Sequence, residues 1–169
     1  MPVNNKTSED ALREKAQKVE RLERTIRAAN AQRTLYGGVL AGKLGMHHTD
    51  LECLFMITLI DKATPGRLAQ ETGLTSGAIT GVVDRLERAG YIKRERDTGD
   101  RRRVFLVPIM KRIEEVRAIN AKTNAAWLEE LAGYSDSELD LLLGFAERSN
   151  EAAVNATIAL RDMHIRSDT

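Results

Sequence analysis

The stretch from Thr64 to Pro108, TPGRLAQETGLTSGAITGVVDRLERAGYIKRERDTGDRRRVFLVP, decides the fold. Thr64 followed by Pro65 marks a helix start, because proline at the first helical position gives up an N–H that has no intrahelical partner there. The helix it opens is predicted to run to about Thr72 and stop at Gly73. Thr75 caps a second helix, in which Ile79, Val82, Val83 and Leu86 share one apolar stripe and which Gly90 ends. Leu68, Ala69, Gly73, Leu74, Ile79, Val83 and Leu86 are small or apolar where two helices touch, with glycine where the chain turns, which is a helix-turn-helix pattern. Tyr91 to Arg96 and Val104 to Val107 are β-branched and aromatic runs on either side of a turn containing Asp97, Gly99 and Asp100, so they are expected to pair as a hairpin. Pro108 donates nothing to a ladder, and the second strand should end or lie at an edge there.

The flanks read as helices. Residues 1–7 are polar and expected to be disordered. From Ser8 to about Gly42, Leu12, Val19, Leu22, Ile26, Leu35 and Val39 recur at helical spacing among charges of both signs. Thr49 with Glu52 forms a capping box for a helix ending near Asp61. One long helix is predicted from Ile109 to about Leu131, carrying Ile113, Val116, Ile119 and Trp127, the last as a dimer anchor. Ser135 with Glu138 opens a final helix to about Leu160, with Leu139, Leu142, Leu143, Ala146, Val154 and Ile158 inward. The expected architecture is mainly α with a small β-hairpin wing. A winged helix-turn-helix region at 46–108 is flanked by an N-terminal dimerisation helix at 8–45, C-terminal dimerisation helices at 109–162 and a tail at 163–169. The flanking apolar stripes are longer than one winged domain can cover, so a homodimer is expected.

Composition narrows the function classes. A chain of 169 residues buries a sizeable core without metal or disulfide staples. The single cysteine, Cys53, excludes an intramolecular disulfide, and the start MPVNNKTSED has no secretory pattern, so a reducing cytoplasm is expected. The longest apolar run, Leu51 to Ile60, contains Glu52 and falls short of the roughly 20 residues that cross a bilayer. No membrane partner is expected. Lys plus Arg (26) and Asp plus Glu (25) nearly cancel, yet Lys93 to Arg103 holds six basic and three acidic residues, a local +3. One basic hairpin on a neutral protein fits local contact with phosphates.

The second helix of the turn leaves Ser76, Gly77, Thr80, Gly81, Asp84 and Arg85 outside its apolar stripe. None of those near its N-terminus is Arg, Asn or Gln, the usual bidentate readers of bases, so direct readout should be sparse. Gly77 and Gly81 each cost about 0.8 to 1 kcal/mol against alanine in a helix. They admit two readings: close approach of this face to DNA, or tolerated surface glycines. Arg101 and Arg102 at the hairpin tip are placed to enter a minor groove, while Asp97 and Asp100 bond the backbone two residues on and fix the turn. The candidate contacts to double-stranded DNA are Thr75, Ser76, Gly77, Thr80, Gly81, Arg85, Arg101, Arg102 and Arg103.

The segment Thr49-Asp50-Leu51-Glu52-Cys53-Leu54, the turn from Leu68 to Leu86, the phrase from Val83 to Ile92 and the wing Asp97-x-x-Asp100-Arg101-Arg102 resemble the multiple-antibiotic-resistance regulator (MarR) family. The resemblance spans about residues 30–160 and is most specific from Leu68 to Arg103. It implies a homodimeric winged helix-turn-helix transcription regulator on a pseudo-palindromic operator, usually a repressor released by a small-molecule effector. The chain departs from the family pattern at Gly99 in the wing and at Ile109, where the family usually caps the fifth helix with threonine. Tyr36, Gly38, His47, His48 and Phe55 are candidate lining for an effector pocket, although glycines such as Gly37, Gly38 and Gly42 also serve close helix approach. His47 and His48 are adjacent and diverge on a helix, unlike the i, i+4 pair that chelates one ion, so no metal is expected. Cys53 in an apolar run reads as a buried small hydrophobe. No Ser/His/Asp set, metal cluster or phosphate loop is present, so no catalytic residue and no cofactor is assigned. The alternatives are a winged-helix module that binds protein and a redox- or metal-responsive regulator.

Overall fold

Glycine, threonine and serine set where most elements begin and end. The computed structural model describes residues 5–100 and 102–163; residues 1–4, Arg101 and the tail from 164 onward lie outside them. The elements are α1 (Asn5–Lys43), α2 (His48–Leu59), α3 (Pro65–Thr72), α4 (Ser76–Arg88), β1 (Ile92–Arg96), β2 (Val104–Pro108), α5 (Met110–Thr123), α6 (Ala125–Ala132) and α7 (Asp136–Asp162). The chain divides into two compact units between His48 and Thr49.

The first unit is dominated by α1. It starts at Asn5, three residues before the expected Ser8, and no glycine or proline stands between them to stop the helix. Gly45, at φ +68°, ends it, with the Met46 N–H donating to the Ala41 carbonyl at 3.0 Å. Leu12, Val19, Leu22, Leu35 and Val39 are exposed, whereas Gly37, Leu40 and Ala41 near the C-terminal end are buried.

The second unit has its core where the helix-turn-helix stripes meet the hairpin. Leu51, Cys53, Leu54 and Ile57 of α2, Leu68 of α3, Ile79, Val82, Val83 and Leu86 of α4, Ile92 and Leu106 of the strands, and Ile113 and Val116 of α5 are buried. Thr64 caps α3 by accepting from the Arg67 N–H, and Thr75 caps α4 by accepting from the Ala78 N–H, each at 3.2 Å. Gly73 (φ +67°) and Gly90 (φ +74°) hold the left-handed turns that follow α3 and α4. The α2 helix opens at His48, one residue before the expected cap Thr49. β1 and β2 pair antiparallel from Ile92↔Pro108 to Arg96↔Val104, which leaves Pro108 at the end of the ladder. The Leu106 N–H donates to the Ala63 carbonyl at 2.8 Å and ties the hairpin to the α2–α3 connection.

The single helix expected from Ile109 to Leu131 is broken at Asn124, which sits at φ −111° and ψ 14°. Side chains compete with the backbone ladder here: the Thr123 hydroxyl donates to the carbonyls of Ile119 and Asn120 at 3.1 Å, and the Asn124 amide donates to the Asn120 side chain at 2.6 Å. As the sequence implied, Ile109 offers α5 no side-chain cap. The Ser135–Glu138 capping box opens α7, with the Ser135 N–H donating to Glu138 at 2.8 Å; hydrogen bonds from Ser135 hold the Glu138 carboxyl below its ordinary pKa. The stripes expected to point inward on these last helices are covered only in part within one chain: Ile113 and Val116 are buried, and Leu139, Val154 and Ile158 are half-buried. Ile119, Trp127, Leu142 and Leu143 are exposed, because the spacing that aligns them does not itself supply a surface to bury them.

Candidate nucleic-acid interface

Burial of Ile79, Val82, Val83 and Leu86 turns the opposite face of α4 outward. Thr75, Ser76, Gly77, Thr80, Asp84 and Arg85 are exposed on it and Gly81 is half-buried. The Thr80 hydroxyl donates to the Ser76 carbonyl at 2.9 Å, leaving its oxygen free to accept. The resulting surface is smooth, small and polar.

Arg85 is held from inside. Its Nε donates to Asp50 Oδ2 at 2.8 Å and its Nη2 to Asp50 Oδ1 at 2.6 Å, a bidentate fork on a carboxylate that is itself 2% exposed. A buried carboxylate needs such a partner, and hydrogen bonding to Asp50 raises the Arg85 pKa above its ordinary value. Of the expected DNA contacts, Arg85 therefore has two of its three nitrogens committed to the protein. Nothing in the spacing announced this, since Asp50 lies 35 residues away in the chain.

The same pair separates the two glycines of α4. A Cβ at Gly81 would lie 3.3 Å from Arg85 Nη1, so that guanidinium would have to give by a few tenths of an ångström against the two bonds with which Asp50 holds its other nitrogens. A Cβ at Gly77 would meet nothing within 4 Å. Gly81 has a reason inside the protein, and Gly77 has none.

The hairpin turn is built as its aspartates predict. Asp97 Oδ1 accepts from the Gly99 N–H at 2.8 Å, and Asp100 Oδ1 accepts from the Arg102 N–H at 3.0 Å. Its positive charge, however, is less available than the sequence count suggests. Lys93 pairs with Glu95 at 2.5 Å. Arg94 donates to Asp84 at 2.5 Å and to Glu87, whose carboxylate also accepts the Arg94 N–H at 3.1 Å, so β1 is clamped to α4. Arg103 lies over the Phe105 ring at 5.4 Å and 4.0 Å from Asp97. Arg96 and Arg102 are exposed and, among the described residues, their guanidinium groups have no ion partner. Arg101 lies outside the described residues. Arg96 was not among the expected contacts; its signal in the sequence is a cation at the end of a strand whose first residue alone is buried.

The MarR family model matches residues 46–104. An uncharacterised HTH-type transcriptional regulator of Bacillus subtilis (strain 168), YcgE, is 32% identical over 124 residues, covering 73% of this chain and 80% of its own length. The chain belongs to the MarR family of transcriptional regulators. The crystal structure of MarR is similar at 26% identity and a TM-score of 0.54, over 79% of this chain and 98% of that one. Streptococcus pneumoniae FabT in complex with DNA shares the fold at 22% identity and a TM-score of 0.60, over 83% of this chain and 99% of that one.

Within this MarR-family chain the other sensing candidates are placed as follows. Tyr36 is half-buried, Gly38 and His47 are exposed and His48 is half-buried, all in the first unit; Phe55, half-buried on α2, belongs to the second. Burial first, then the carboxylates of Asp50 and Glu52, push the Cys53 thiol up to about 11. A thiol held neutral in this way lacks the thiolate that redox sensing needs. Among the described residues no group of three or more His, Cys, Asp or Glu is arranged to hold a metal ion, and no helix is long and apolar enough to cross a membrane.

Proposed function

We propose that the chain acts as a homodimer on double-stranded DNA, as a repressor of a pseudo-palindromic operator that a small-molecule effector releases. The observation that carries the DNA reading is the exposed face of Thr75, Ser76, Gly77 and Thr80 on a helix clamped through Arg94 to a hairpin whose cations at Arg96 and Arg102 have no ion partner among the described residues. In this reading α4 enters the major groove with Gly81 at its edge, and Arg85 contributes its remaining nitrogen while holding Asp50. Arg101, Arg102 and Arg103 follow the adjacent minor groove or its phosphates, and Arg96 adds a phosphate contact. The FabT complex with DNA supports the choice of partner for this fold. The exposed apolar residues of α1, α6 and α7 support a second copy, which would set two recognition helices about 34 Å apart. An effector would act by binding more tightly to a dimer whose helices no longer match that spacing.

The test is footprinting on the DNA beside the chain's own gene, with a salt titration and a panel of phenolic acids, lipids, metals and peroxide. Two protected half-sites about one helical turn apart are expected. With roughly four phosphates neutralised per protomer, log affinity should fall against log salt with a slope near −7. A slope near zero would refute DNA binding, and protection unchanged by every compound would refute release by any of them.

A further inference from the structure

From residue 9 to residue 35, every side chain of α1 is exposed except Ile26, which is half-buried. Yet this helix carries an apolar line. Val19, Leu22, Ile26 and Ala29 follow alternating steps of three and four, and Leu12 stands one heptad before Val19. Leu12, Val19 and Leu22 are 64%, 57% and 54% exposed. A repeat averaging 3.5 residues makes a narrow two-position seam rather than the broad stripe of a helix packed on a globular core. Charge occupies the flanks of the seam and the faces beyond it: Glu14 pairs with Lys18 at 2.7 Å, Glu20 with Arg24 at 3.4 Å and Glu23 with Arg27 at 2.7 Å, all exposed pairs one helical turn apart that hold little energy and leave Lys18 and Glu23 able to exchange partners with a second helix. The segment also lies outside the residues matched by the family model.

We propose that Leu12 to Ala29 forms a parallel, in-register, two-stranded coiled coil with the same segment of a second copy, an assignment that rests on the homodimer reading. Two features select this occupant and direction. Val19 and Ile26 are β-branched at one inner position and Leu22 is Leu at the other, the combination that favours two parallel strands. In a parallel pair the residue flanking the seam on one helix faces the residue five further on in its partner. Lys18 and Glu23 stand at that separation with opposite charge, and the neighbouring flank pairs, Ala11 with Ala16 and Thr25 with Asn30, carry none. An antiparallel pair would set Lys18 against Ala11, Lys18 or Thr25, and Glu23 against Ala16, Glu23 or Asn30, with no attraction in any register. Lys15 falls at an inner position between Leu12 and Val19; its stem covers apolar surface while its ammonium reaches water, which places the stronger part of the seam at Val19 to Ala29.

The test uses the full-length chain. Its one native thiol, Cys53, is buried, so an added surface cysteine is the reactive one. Val19→Cys and Ile26→Cys, made separately, are oxidised in air and compared with Arg24→Cys on the outer face, while the unmodified chain is weighed by sedimentation. A parallel in-register pair brings like seam positions within the roughly 4.4–6.8 Å between α-carbons that a disulfide spans. The expected result is a dimeric unmodified chain, conversion of both Val19→Cys and Ile26→Cys to twice the chain mass, and little conversion of Arg24→Cys. In an antiparallel pair at most the position at the crossing meets its own copy. Cross-linking at only one seam position, at neither, or equally at Arg24→Cys overturns the coiled coil, and a dimeric unmodified chain then leaves the homodimer standing. A monomeric unmodified chain overturns both.

Discussion

Helix α4 and the hairpin beside it both carry arginines, but they hold them differently. Arg85 of α4 spends its fork on a buried carboxylate, and Arg94 of β1 spends its own on Asp84 and Glu87. Arg102 has only its backbone N–H fixed, by Asp100, and its guanidinium has no ion partner among the described residues. A guanidinium matched to a buried carboxylate belongs to the fold, whereas one presented on a fixed turn is available to a ligand. The sharpest way to break this contrast is Arg85→Ala. It leaves Asp50 buried and unpaired and should cost about 3 kcal/mol of stability in urea unfolding. Asp50→Ala in the same chain should recover part of that loss, because no orphaned charge remains. A loss below about 1 kcal/mol would return Arg85 to the DNA-contact role alone.

Arg102→Ala should show the opposite profile. Stability should stay within about 0.5 kcal/mol, while DNA affinity at low salt falls roughly tenfold and the salt slope drops by about 1 for each phosphate that is no longer neutralised. An unchanged slope in gel-shift titrations would mean that the hairpin tip does not neutralise phosphate. Arg94→Ala falls between the two. Its ion pairs are partly exposed, so about 1 kcal/mol is expected, together with faster amide exchange across Ile92–Arg96 as β1 loosens from α4. Exchange unchanged in β1 would show that the strand is held by its ladder to β2 alone.

What could be read from the sequence was local. Thr64, Gly73, Thr75, Gly90 and the Ser135–Glu138 box act over one to four residues, and each cap or turn lies where its spacing places it. The aspartates of the hairpin act over two residues and were equally legible. The Asp50–Arg85 fork was not, because a pairing across 35 residues leaves no periodic trace. Nor was the break at Asn124, where a run of Ile and Val spacing argued for one helix and only the side-chain bonds among Asn120, Thr123 and Asn124 argue against it. Counting cations in Lys93 to Arg103 gave the right hairpin but overstated its free charge, since the count cannot see which carboxylates are in reach.

Gly77 and Gly81 look alike in the sequence and differ in the structure, and the smallest predicted effect follows from that difference. Gly77 is the second residue of α4, and a Cβ added there meets open space. Gly77→Ala should therefore raise stability by about 0.5 kcal/mol, less than the full helix-interior preference because the position lies in the first turn. If the bare backbone at Gly77 is there to let the helix sit close to the edges of base pairs, the same methyl group should lower DNA affinity. Gly81→Ala should lose stability instead, because its Cβ presses at 3.3 Å on an Arg85 that Asp50 holds in place. Thermal melts and gel shifts on both variants read the two signs directly. A Gly77→Ala chain that melts higher and binds DNA as well as the parent would show that this face stands clear of the groove, and the burden of recognition would pass to the hairpin.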